Sequence, residues 1–158
     1  MNKNSLNKSL IEFEQRIKDN LDLISDINEL NSTNTVLNKS QVNQIIELVF
    51  LKIYVSWEIF LEDVFIKLIL ISKNNYKITA YLKPRDYSHA LEMLKENKPF
   101  LDWTKVDNVM NRSKYFFKKG FPIFNNLYLI KTELTEMKTI RNNIVHMSQK
   151  VQKKFKDL

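Results

Sequence analysis

Residues 45–71 read IIELVFLKIYVSWEIFLEDVFIKLILI, a run in which nearly every position is apolar. Its charges, Glu47, Lys52, Glu58, Glu62, Asp63 and Lys67, are scattered through it. A membrane span needs about 18 or more nearly uncharged residues, so the run does not read as one. It contains neither Gly nor Pro. The pattern predicts one long helix that starts near Asn38 or Ser40 as N-cap, ends near Ser72 and is about 50 Å long. A helix that is apolar nearly all round is expected to be the central, most buried element.

Upstream, Leu6, Leu10, Phe13, Ile17, Leu21, Ile24 and Ile27 recur at steps of three and four, the stripe of an amphipathic helix. Glu12, Arg16, Asp19, Asp22 and Asp26 occupy its other face. Asn31 to Thr35, polar and rich in cap residues, reads as a loop. Downstream, Asn74-Asn75 ends the long helix, and Tyr76–Pro84 shows a short strand-like alternation. A helix is expected over Asp86–Asn97 with Asp86 or Ser88 as cap. Another is expected over Asp102–Lys119, closed by Lys118, Lys119 and Gly120. Phe121 to Phe124 reads as a hydrophobic loop, and a last helix runs from Asn125 or Asn126 to about Lys154. Pro84, Pro99, Gly120 and Pro122 are the breakers, and all lie between 84 and 122. One Gly in 158 residues also argues against tight hairpin turns. The expected fold is all-α: an antiparallel bundle of four to six helices forming one domain over 1–158.

Composition narrows the chemistry. With no Cys, the chain has no disulfide, thiolate nucleophile or Cys-ligated metal. A single Gly excludes the glycine-rich phosphate loops. The net charge of +7 is uneven: residues 1–72 carry 7 Lys/Arg against 10 Asp/Glu, and residues 73–158 carry 18 against 8. A basic half suits a polyanionic partner. Equally, the abundant lysines can serve as generic solubilising charge. The opening MNKNSLNKSLIEFEQR has no apolar signal-like run, so a cytoplasmic protein without a membrane segment is expected.

On the last helix, Ile130, Leu134, Met137, Ile140, Ile144, Met147 and Val151 form an apolar stripe. Lys138, Asn142, His146, Lys150 and Lys154 follow one another at steps of four on the other side, where residues four apart share a face. Arg141 borders the stripe. It stands roughly 140° around the helix and 7–8 Å along the axis from His146, a gap that a bent guanidinium can span.

The hexapeptide Arg141-Asn142-Asn143-Ile144-Val145-His146 resembles the R-x4-H signature of HEPN domains, in its common form Arg-Asn-x3-His. The segment from Tyr54 to Asp63, with Trp57, Glu58 and Glu62, is similar to the aromatic-acidic patch of HEPN proteins from prokaryotic defence and toxin systems. The resemblance spans roughly residues 38–150. It implies a compact helical bundle that dimerises, with the paired motifs forming one groove. It further implies a metal-independent endoribonuclease, a toxin or phage-defence effector, with RNA as partner, no cofactor, and a cognate antitoxin or partner protein as a further possibility. Other members of the family bind nucleotides without cutting RNA.

The side chains suit that chemistry. Attack by a ribose 2′-OH needs a base and an acid, and His serves either role near neutral pH. One helix supplies one His, whereas a two-fold dimer supplies two. Arg141 is placed to grip the non-bridging phosphate oxygens. Asn142 can orient the imidazole or the phosphate, and Glu58 is the expected partner of Arg141. Lys138, Lys150 and Lys154 would line the groove. Arg112 and Lys114, with Lys118 and Lys119 and interleaved with Tyr115, Phe116 and Phe117, form a second candidate RNA contact.

Plainer readings stand beside these. Arg141 can be a buried structural partner of Glu58 or Glu62 with His146 a surface residue, and the lysine row can be a solvated face. Tyr54, Trp57 and Phe60 read as core, and His89 as incidental. A catalytically silent HEPN module that binds a nucleotide or a partner, or a dimeric scaffold built on the Leu6–Ile27 stripe, would also carry this pattern.

Overall fold

The computed structural model describes residues 3–33, 36–71, 78–95 and 101–156, with side chains over 5–33, 36–71, 78–95 and 101–146. Among these residues the fold is all-helical: α1 (Lys3–Thr33), α2 (Lys39–Ile71), α3 (Tyr87–Lys95), α4 (Val106–Phe116), α5 (Ile123–Leu129) and α6 (Lys131–Lys156). A 3-10 turn, Lys118–Gly120, follows α4. The described β-pairing is an isolated antiparallel bridge between Ala80 and Phe117. No described helix is long and apolar enough to cross a membrane.

Side-chain caps set the helix starts. Asn38 Oδ1 accepts the Gln41 N–H at 3.0 Å, and Gln41 Oε1 accepts the Asn38 N–H at 2.9 Å. This reciprocal capping box satisfies two otherwise orphaned donors at the start of α2. Asp86 does the same for α3: its Oδ1 accepts the His89 N–H at 2.9 Å, while His89 Nδ1 accepts the Arg85 N–H at 3.1 Å. His89, incidental in the sequence, closes a cap. The expected loop from Asn31 begins later than the sequence suggested, because α1 continues to Thr33. There the Ser32 and Thr33 hydroxyls bond back to carbonyls of the last turn, and Asn31 Oδ1 accepts the Leu37 N–H at 2.9 Å. Residues 34 and 35 lie outside the described residues, as do 72–77 and 96–100, which include the ends expected at Asn74-Asn75 and Asn97.

The chain divides into two compact units, Met1–Glu12 with Glu58–Thr135, and Phe13–Trp57 with Glu136–Leu158. In the first, Phe65 is completely buried, with ring centroids 5.8 Å from Trp103, 5.8 Å from Phe116 and 5.4 Å from Phe117. Ile66, Ile69, Leu94 and Val109 are buried with it. Three of the charges that interrupt the apolar run, Glu62, Asp63 and Lys67, find partners here. Glu62 accepts the Trp103 indole N–H at 2.7 Å. Lys67 pairs with Asp63 and donates to the buried Ser9 hydroxyl at 2.7 Å. Tyr87 faces both acids. Burial, the Asp63 and Glu62 charges and a hydrogen bond to Asp63 push its phenol up to about 12. A buried polar group costs stability unless it is bonded, and these pairings offset that cost.

In the second unit, Phe13 and Trp57 lie with ring centroids 6.1 Å apart, and Phe50 and Tyr54 6.3 Å apart. Tyr54 and Val49 are buried and Trp57 half-buried, as is Phe60 of the first unit, as a core reading of these aromatics requires. Burial of α2 is nevertheless uneven. Ile46, Leu48, Val55 and Ile59 are exposed, and from Phe60 to Ile71 no position is, so the helix is covered all round only over its last third. On α1 the stripe is partial too: Phe13, Ile17, Ile24 and Ile27 are half-buried, while Leu10 and Leu21 are exposed.

The region from 102 to 130 departs most from expectation. Asp102 does not start a helix. It accepts the Thr104 N–H at 3.1 Å and the Thr104 hydroxyl, forming an Asx-type turn before α4. Nor does α4 run to Lys119. Phe117 is extended (φ −123, ψ 146), which seats its ring on Phe65, and the Lys118 N–H bonds the Thr79 carbonyl at 2.9 Å. The strand-like stretch at 76–84 therefore contributes one bridge, with 76 and 77 outside the described residues. The expected last helix is two helices, α5 and α6, parted at Ile130 (φ −115, ψ 20).

Gly120 makes the corner between α4 and α5. Its φ is +74, and a Cβ there would lie 2.7 Å from Phe124 Cβ and 2.8 Å from Ser113 Oγ. Left-handed backbone and overpacking both penalise a side chain at this position. Gly120→Ala is expected to cost at least about 2 kcal/mol, read as a lower urea midpoint at unchanged slope.

Candidate functional site

The helix that carries the hexapeptide is regular. Its first turn is closed by the Leu134 N–H to the Ile130 carbonyl at 3.1 Å and carries Glu133, an acid where the helix dipole favours one. Neither Gly nor Pro interrupts Lys131–Lys156, so Arg141, Asn142 and His146 stand on one rigid segment.

His146 is exposed. Arg141 is half-buried, and its Nη1 donates to Asn142 Oδ1 at 3.1 Å. Asn142 Oδ1 thus holds the guanidinium. Through this contact one of the five arginine donors is fixed, and the planar fork loses rotamer freedom before any ligand arrives.

The two faces of α6 differ from the expected stripe and row. Leu134 is buried and Met137 and Ile144 are half-buried, as the stripe requires. Ile140, however, is 48% exposed, and Ile130 is exposed at the break between α5 and α6. Lys138 and Asn142, expected on the solvent side, are half-buried. The covered face thus runs through Leu134, Met137, Lys138 and Arg141. Long basic side chains can lay their methylene stems on apolar surface and keep the charged head wet, so a lysine and an arginine fit such a face. Ile140, Asn143 and His146 share the open face. The side chains of Lys150 and Lys154 lie outside the described residues, although both positions are helical.

The remaining candidates are on other helices. Glu58 is half-buried on α2 and belongs to the first unit, whereas Arg141 belongs to the second. Arg112 and Lys114 are on α4, also in the first unit. Arg112 is half-buried. The Lys114 ammonium sits 4.3 Å from the centroid of the Phe124 ring, a cation–π contact. Among the described residues, no group of three His, Asp or Glu side chains is arranged to hold a metal ion.

Two features escaped the sequence reading. The ring pair of Phe124 and Tyr128 beside Lys114 was hidden in a segment read as loop and helix start. The cluster of Glu62, Asp63, Lys67 and Tyr87 was signalled only by charges interrupting an apolar run. No family model matches the chain, and neither a curated protein nor a solved structure matches it.

Proposed function

We propose that this protein is a HEPN-like, metal-independent endoribonuclease, a toxin or phage-defence effector that works as a homodimer on RNA. The observation that carries the reading is the Arg141-Asn142-x3-His146 hexapeptide on one uninterrupted helix, with His146 exposed and Arg141 tethered by Asn142. Exposed Ile140 on the same helix adds support, since apolar surface left open on an element suits a protein–protein contact.

In this reading His146 takes the proton of a ribose 2′-OH. The 2′-oxygen attacks phosphorus, the bond to the 5′-oxygen breaks, and the leaving oxygen takes a proton from His146 of a second copy. Arg141, oriented by Asn142, stabilises the charge that builds on the non-bridging oxygens. The products are a 2′,3′-cyclic phosphate and a 5′-hydroxyl. Lys138, with Lys150 and Lys154 further along the helix, supplies positive field for the strand.

The test is incubation of the purified protein with total RNA and end-group analysis of the fragments. Cyclic phosphate and 5′-hydroxyl ends, formed equally in EDTA, are the expected result. Loss of cleavage in EDTA overturns the mechanism. Intact RNA under every condition selects the silent nucleotide- or partner-binding module instead. Expression should slow host growth, as a toxin's would.

A further inference from the structure

Between Asp107 and Glu133 the sequence holds Arg112, Lys114, Lys118, Lys119 and Lys131 and no acid. Of these, Lys131 is paired with Asp107 at 2.7 Å. The same stretch is rich in aromatic residues, and the fold sorts them. Phe116 and Phe117 are buried, while Tyr115 is 72% and Tyr128 64% exposed. Gly120 lets α4 and α5 meet closely enough for Lys114 to reach the Phe124 ring. On α5 the Phe124 and Tyr128 rings, one turn apart, lie within 10° of parallel with centroids 6.2 Å apart. The turn between the helices adds Lys118 and Lys119, both exposed.

We propose that this α4–α5 corner binds single-stranded RNA, with bases stacking on Tyr128 beside Phe124 and phosphates held by Lys118 and Lys119. The exposed Tyr128 ring, backed by the half-buried Phe124 ring parallel to it, suits the flat faces of unpaired bases, which a duplex hides in its own stack. Exposed lysines in a stretch of sequence that holds no acid suit a phosphate backbone rather than an apolar protein face. The choice of RNA as the strand rests on the ribonuclease reading; the stacking surface does not, because it is separate in sequence from Arg141 and His146.

The experiment measures anisotropy of a labelled oligouridine of about 15 nucleotides, against an RNA duplex of the same length, on His146→Ala protein so that the strand stays intact. Preference for the single strand is expected. Tyr128→Leu keeps an apolar side chain and should weaken single-strand binding about tenfold. Lys118→Gln with Lys119→Gln should lower the slope of log affinity against log salt by about 1.4. All these positions are exposed, and circular dichroism melting checks that the variants fold. Absence of binding, or single-strand affinity unchanged in both variants, overturns the proposal. So does a Tyr128→Leu protein that loses self-association yet keeps its RNA affinity, which would mark the corner as a protein-docking face. Tyr128-dependent binding by a wild type that never cleaves RNA supports the corner and refutes the ribonuclease reading, so the two failures are distinguishable.

Discussion

His146→Ala is expected to lower RNA cleavage by about 100- to 10,000-fold, the range for losing a general acid–base group, while leaving the melting temperature unchanged. The second half of that expectation follows from burial. His146 lies on the open face of α6, so truncating it leaves no cavity, and exposed substitutions of this kind stay within about 0.5 kcal/mol. Arg141→Ala should also lower turnover, but for a different reason and with a different trace. In the ribonuclease reading it removes the transition-state contact, worth about 100- to 1,000-fold for a single donor group, and it leaves Asn142 without its observed partner. Asn142→Ala then separates positioning from contact. It frees the guanidinium without removing it, so cleavage should fall less than in Arg141→Ala. If His146→Ala cleaves like the wild type while its melt is unchanged, the acid–base assignment is wrong whatever Arg141 does.

What could be read from residues alone follows from how local the cause is. The capping box at Asn38 and Gln41 involves neighbours three apart, and its helix appears where the sequence placed it. The hexapeptide is equally local: six residues on a helix without breakers have their spacing fixed by 3.6 residues per turn. The helix breaks at Phe117 and Ile130 are a different matter, because neither residue is a breaker. Phe117 leaves the helix for a ring contact with Phe65 and a bridge to Ala80, both distant in sequence. The faces of α6 were misjudged for a related reason. Periodicity counts Lys138 as polar, whereas its stem can lie on apolar surface. Likewise, Glu62, Asp63 and Lys67 announce that α2 is no membrane span, but Trp103, Tyr87 and Ser9, which satisfy them, come from three other segments.

Phe65→Ala should be the most destabilising single change in the first unit. Deleting a buried phenylalanine costs about 3–5 kcal/mol, against a total of about 5–15 kcal/mol for a domain. The upper part of that range is expected, because the ring is wholly buried and meets three others. Each such pair adds about 0.5–1.5 kcal/mol beyond its buried area. Relaxation is hindered on every side. Trp103 is held by its indole bond to Glu62, Phe116 by α4, and Phe117 by the backbone bridge to residues 79–81. Neighbours so fixed cannot collapse into the space, and the cost rises with the volume left empty. Phe65→Leu retains most of that volume and should cost less, since near-conserved volume is tolerated best. Ile59→Ala, on the exposed side of α2, is the control and should shift the urea midpoint little. A Phe65→Ala midpoint close to that of Ile59→Ala would mean that the aromatic cluster does not anchor the first unit. A large drop would place the corner formed by α4 and α5 on the same foundation, since Phe116 and Phe117 belong to both the cluster and the turn that brings Lys114 to Phe124. Phe65→Ala should then also weaken oligouridine binding near its melting temperature, although Phe65 is buried and touches no ligand.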